Sequence, residues 1–145
     1  MVAFEPAPAV PSLCCEFPAE PVATQRARRL VREHYGGCGP PDVLGDLELV
    51  VTELIANAVA ASASGEGVGL SVRPSGPDLL VEVHDRARAV PVRRSAEVLG
   101  EDGRGLLLVG QLSQGWGWHP ADGGKVVWAL VRLASQLPVP ETVTA

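Results

Sequence analysis

A chain of 145 residues with 46% hydrophobic and 20% charged residues has the size and composition of one soluble globular domain with a single core. Its net charge of −5, with no run of Lys or Arg long enough to coat a phosphate backbone, sets direct nucleic-acid binding aside. No basic segment leads into a long apolar one, and no apolar stretch approaches the roughly 18 residues of a membrane span, so a cytoplasmic protein is the expectation.

Residues 1–12 are rich in Pro and Ala and are expected to form a flexible leader. Leu13 to Phe17 predicts a short strand, stopped by Pro18 and Pro21. Val22 to Tyr35 has apolar residues at Val22, Ala23, Ala27, Leu30 and Val31, which predicts a first amphipathic helix with Arg26, Arg28, Arg29 and Arg32 largely on its wet side. Gly36 to Pro41 is a strong stop, after which Asp42 is expected to cap a second helix that reaches Ala63. Val68 to Arg73 and Leu79 to Val83, either side of a turn at Pro74 to Asp78, read as a hairpin. The charged, irregular stretch from Asp85 to Asp102 reads as a loop or lid. Gly103-Arg104-Gly105 is expected to open a short apolar helix, Leu106 to Leu112, followed by strands at Gly115 to His119 and Lys125 to Leu133. Gly123-Gly124-Lys125 belongs to the turn between them, and the polar tail from Gln136 is expected to fray. One domain, 13–135, thus lies between a leader and the tail 136–145. Its helices fall between paired strands, which predicts an α/β two-layer sandwich, a mostly antiparallel sheet with helices on one face.

Cys14, Cys15 and Cys38 are odd in number, two are adjacent, and no C-x-x-C occurs, so free thiols are expected. His34, His84 and His119 have no short-range metal-ligand spacing and are expected in structural or surface roles.

Glu53 and Asn57 interrupt an otherwise apolar run, Leu47 to Ala63. A buried carboxylate or amide without partners costs roughly 1–3 kcal/mol, so something should compensate it. Their spacing of four puts both side chains on one helix face, with Leu49 one turn before and Ala61 one turn after. Such a row suits the floor of a site for a polar ligand or a metal-bound phosphate. The alternative is the solvent-facing stripe of an amphipathic helix.

Three separated pieces carry a resemblance: Glu53-Leu54-x-x-Asn57-Ala58 on a helix, Asp85 after a strand, and Gly103-Arg104-Gly105-Leu106 at the start of another helix. In this order they resemble the N box and the two glycine boxes of the Bergerat-fold (GHKL) ATPases, the group containing gyrase B, Hsp90, histidine kinases and the MutL proteins. With Gly124-Lys125-Val126-Val127-Trp128 near the end, the chain looks most like small actinobacterial members similar to anti-sigma-factor serine kinases.

The resemblance implies ATP and Mg²⁺ as cofactors and assigns roles that chemistry can rationalise. The Asn57 side-chain oxygen is a hard neutral ligand suited to Mg²⁺. Glu53, one turn earlier, would orient or deprotonate the nucleophile that attacks the γ-phosphate. Asp85 would accept a hydrogen bond from the exocyclic amine of adenine. Gly103 and Gly105, with Leu106 following, would let backbone N–H groups approach phosphate oxygens at a helix N-terminus, and Arg104 would add a charge-assisted contact. Ala61 would leave room beside the base. The family's D-x-G-x-G here reads Asp85-Arg86-Ala87-Arg88-Ala89, and a position where a threonine often reaches the phosphates is Val126. Ala87 in place of glycine would cost on the order of 1 kcal/mol if its φ had to be positive, and its methyl would narrow the base pocket.

Two functions follow. One is a serine/threonine kinase of the anti-sigma type, which binds a sigma factor and phosphorylates a protein antagonist. The other is a catalytically inactive, weakly or non-nucleotide-binding interaction module of the same fold. A histidine kinase catalytic domain fits less well, because no dimerisation helix pair carries a phospho-acceptor His and His34 does not resemble one. An edge strand at Leu13 to Phe17 would suit the pairing of two copies.

Overall fold

The computed structural model describes residues 10–87 and 101–133, with side chains in its last helix from Gly105 onward. Alternation with a period of two decides which way each strand faces. Val68, Leu70 and Val72 of β2 (Gly67–Ser75), Leu79, Val81 and Val83 of β3 (Asp78–Asp85), and Val127, Ala129 and Val131 of β5 (Gly124–Arg132) are buried on one face. An apolar sheet face of this kind needs a cover, and three helices provide it.

Helix α1 (Ala23–Tyr35) turns Ala23, Ala27, Val31 and Tyr35 inward, every fourth residue, and leaves Arg26, Arg28, Arg29 and Arg32 exposed. Helix α2 (Pro41–Ala61) buries Leu47, Val50, Val51, Leu54, Ile55 and Ala58, and α3 (Glu101–Leu112) adds Leu106 and Val109. Together with Leu13 and Phe17 of β1 (Leu13–Pro18) these residues form one core cluster. The five strands run in the order β1-β2-β3-β5-β4, with β4 (Gly115–Ala121) at one edge and β1 at the other. Every neighbouring pair is antiparallel. The two-layer α/β architecture is the one expected.

The differences are local. Residues 10–12 belong to the folded body, because Val10 packs against the core and the Tyr35 hydroxyl donates to the Pro11 carbonyl at 2.6 Å and to that of Val72 at 3.3 Å. Asp42 does not cap α2. Pro40 holds that position with an extended backbone, and no side chain caps the helix. Pro41 supplies the preset φ that suits a first helical residue. The helix ends at Ala61, where Ser62 turns extended and donates its hydroxyl to the Ala58 carbonyl. The last helix begins at Glu101, so Gly103 and Gly105 lie within it and do not precede it. The remainder of the expected lid, 88–100, and the tail from Gln136 lie outside the described residues.

Candidate functional site

Short connections bring the candidate residues together. The chain leaves α2 at Ala61 and enters β2 at Gly67, whose neighbour Gly69 pairs with His84 near the end of β3. The C-terminal half of α2, with Glu53 and Asn57, therefore lies toward the end of the sheet where β3 finishes at Asp85. Glu53 and Asn57 are both half-buried on one helix face. An ordinary α2 stripe facing water would leave them more open.

Glu53 lies against α3. A Cβ built on Gly105 would sit 2.5 Å from its Oε2, so the missing side chain at Gly105 is what lets the carboxylate approach the helix. Burial pushes the Glu53 carboxyl above the ordinary glutamate value, and the carboxylate makes no ion pair among the described residues. A half-desolvated carboxylate of raised proton affinity is suited to receiving a proton.

Asp85 is fully buried, and its two oxygens differ. Oδ1 accepts from the Lys125 ammonium at 2.8 Å and from the Ala87 backbone N–H at 2.9 Å. Oδ2 is buried and has no hydrogen-bond partner among the described residues. The local contacts of the turn thus fall to one oxygen of the carboxylate and leave the other without a partner among the described residues. The ion pair follows from register, since Asp85 is directly opposite Lys125 in the β3–β5 ladder. Gly124 permits the approach, because a Cβ there would lie 1.8 Å from the Asp85 carbonyl oxygen.

The remaining expectations sort by strand and helix geometry. Ala87 joins the site through its backbone N–H. No described residue other than glycine has positive φ, so Ala87 in the glycine position is free of backbone strain. Leu106 is only 2% exposed and packs its side chain in the core. Ala61 is exposed at the end of α2, one turn past Asn57. Gly103 and Arg104 lie in the first turn of α3, where backbone N–H groups lack intrahelical partners.

Val126 is a correction. It pairs with His84 on the face of the sheet away from the helices, because Lys125 and Val127 take the inward positions on either side of it. There it lines a cavity of about 590 Å³ with Cys14, Glu16, Ser71, Glu82 and His84. Lys125, which the sequence places at the junction of turn and strand with no role in the site, is the residue that the structure brings into it. Its signal is its place two residues before Val127 in the alternation Lys125, Val127, Ala129, Val131. The three cysteines are free, and no group of three or more His, Cys, Asp or Glu able to hold a metal ion occurs among the described residues.

The donor set fits a nucleotide: an orphaned buried acceptor at Asp85 suits an amino group, and Gly103 lies in the first turn of a helix, where backbone N–H groups suit anions. A neutral Asn57 oxygen fits Mg²⁺, which takes few protein ligands and draws the rest from water and phosphate. The sequence matches the histidine kinase-like ATPase domain over residues 17–131. The chain belongs to that family, and the five-stranded open sheet with helices on one face is its fold. Among solved structures it is similar to the RsbU and RsbW domains of Rv1364c from Mycobacterium tuberculosis, with a TM-score of 0.65 and 19% identity over 85% of this chain. It covers 32% of that chain, so it spans about a third of its length. No curated protein matches the chain by sequence.

Proposed function

We propose that this chain is a cytoplasmic, Mg-ATP-binding regulator of the anti-sigma-factor serine/threonine kinase kind, acting on a sigma factor, a protein antagonist, or both. Membership of the histidine kinase-like ATPase family and the RsbW-containing structural neighbour support this reading. The observation that carries it is the buried Asp85 carboxylate, with one oxygen engaged by Lys125 and Ala87 and the other unpartnered among the described residues. An adenine amine is a donor that suits it.

Bound Mg-ATP supplies a transferable phosphoryl group and a cation that offsets its charge. Asn57 would hold the metal through its amide oxygen. Glu53, with its raised proton affinity, takes the proton of an attacking serine or threonine hydroxyl. The backbone N–H groups in the first turn of α3, to which Gly103 belongs, would receive phosphate oxygens, and Arg104 would contribute charge. β1, an edge strand among the described residues, is suited to pairing with a second copy in a homodimer.

Calorimetric titration of ATP with and without Mg²⁺ tests the reading. Saturable binding, strengthened by Mg²⁺ and lost in N57A without loss of fold, is the expected result. Absence of binding at millimolar nucleotide removes it and leaves the second reading, a partner-binding module without catalysis. The observation favouring that alternative is the methyl of Ala87, which stands beside the Asp85 carboxylate where the family's pattern has a glycine.

A further inference from the structure

Lys125 is the only lysine in the chain and is 2% exposed, an expensive position for an ammonium group unless a counter-charge is fixed beside it. Asp85 is that counter-charge, with Nζ to Oδ1 at 2.8 Å and the two side chains 3% and 0% exposed. Oδ1 is therefore committed, and Oδ2 is the one oxygen of the pair left for a ligand.

We propose that Lys125 determines the nucleobase specificity of this site: by keeping Asp85 ionised, it makes Oδ2 an acceptor only, so that a purine with an amino group at C6 is taken and one with a keto group there is refused. The inference rests on the nucleotide reading above. An ionised carboxylate has no proton to give, so a 6-keto oxygen would set acceptor against acceptor and leave a buried anion unsatisfied. Without the ammonium group, a buried carboxyl takes up a proton in preference to bearing an unpaired charge. Its O–H then suits the keto oxygen. Lys125 itself touches no ligand and acts as a positioning residue.

Other ionisable groups on the elements around β3 are engaged elsewhere. Glu53 of α2 faces Gly105, Glu48 of the same helix pairs with Arg32, and Arg132 of β5 pairs with Asp78 at the far end of the ladder. Glu82 and His84 lie on the opposite sheet face, and Arg86 is exposed. Among the described residues only Lys125 is within ion-pair distance of Asp85.

The experiment compares ATP with inosine triphosphate, whose base differs at C6, by calorimetric titration in Mg²⁺ between about pH 6 and pH 9, a span wide enough to cover a buried carboxyl freed of its partner. The parent should prefer ATP by about tenfold or more, nearly independent of pH. In K125M the preference should fall toward unity at the acid end and return as pH rises and Asp85 ionises. K125Q, which is neutral but retains an amide donor toward Oδ1, should show the same pH dependence and serves if K125M does not fold. D85N, whose amide oxygen is held toward Lys125 and the Ala87 N–H and whose NH2 group therefore takes the place of Oδ2, should reverse the preference in favour of inosine triphosphate at every pH. A parent that binds neither nucleotide refutes the nucleotide reading, and this inference with it. A parent that prefers ATP, with K125M and K125Q keeping the same pH-independent ratio, overturns the role of Lys125 alone.

Discussion

Removing one member of the Asp85–Lys125 pair should be far more damaging than removing both charges. Both side chains are almost fully buried and 2.8 Å apart, so D85N or K125M leaves the remaining group in the core either charged without a counter-charge or neutralised at the cost of an unfavourable proton transfer. Breaking a buried pair from one side costs about 3–5 kcal/mol. For a domain of this size each kcal/mol lowers the melting temperature by roughly 3 °C, so each single variant should melt about 10 °C lower. The double variant D85N/K125M carries no buried charge, and the carboxamide oxygen introduced by D85N can still accept from the Ala87 N–H. It should therefore recover at least about 2 kcal/mol relative to the sum of the singles. Urea denaturation of the four proteins, with a common m-value, gives the coupling energy directly. Single costs below about 1 kcal/mol that simply add would be the behaviour of a solvated surface pair, and would refute the claim that this pair is a desolvated unit.

Glycine substitutions should separate by what their Cβ meets. G124A drives a methyl into the Asp85 backbone carbonyl and should lower the melting temperature sharply, whereas G45A, inside α2 with nothing within 4 Å, should raise stability by about 0.5–1 kcal/mol. G105A meets only the end of the Glu53 side chain, so the fold should persist, but the carboxylate must move by about an ångström and phosphoryl transfer should fall up to about 100-fold. Equal transfer rates in G105A and parent would detach Glu53 from the chemistry. The Glu53 carboxyl is raised by burial, so its protonated form is the one the fold favours: the contribution is full below the ordinary value of 4.5 and is lost as pH rises through the folded value. E53Q should therefore melt above the parent at neutral pH, with the gap closing as pH falls through the raised folded value and gone below 4.5; a gap that does not change with pH would show that its proton is not linked to folding.

Strand faces are legible in the sequence, because Val68, Leu70 and Val72, or Val127, Ala129 and Val131, alternate over enough residues to fix their phase. The same phase speaks for Lys125. A charged side chain beside a glycine pair reads as a turn, and only the pairing with Asp85 explains its burial. Val126 shows the converse error, since resemblance by position says nothing of the face on which a residue lies. Glu53 and Asn57 are legible as polar residues in an apolar run, but the contact that fixes Glu53 is tertiary. Gly103 and Gly105 read as the opening of a helix that in fact begins at Glu101, because the advantage of a glycine at 105 lies in a neighbouring helix. The start of α2 is open to misreading because two prolines and Asp42 all suit a helix entry, and backbone conformation at Pro40 decides among them.

The β3–β5 ladder differs from the two hairpins beside it in how it must form. Both β2–β3 and β4–β5 close over tight turns containing Gly76 and Gly123 at positive φ. Asp85 and Lys125 are 40 residues apart in the chain, and the ladder's other end, Asp78 with Arg132, is separated by 54. Closing the smaller loop loses less chain entropy, so zipping of the two hairpins is most favourable from the buried ion pair outward. The contact between Asp85 and Lys125 is thus also the rung that joins one hairpin to the other across the shorter of the two loops.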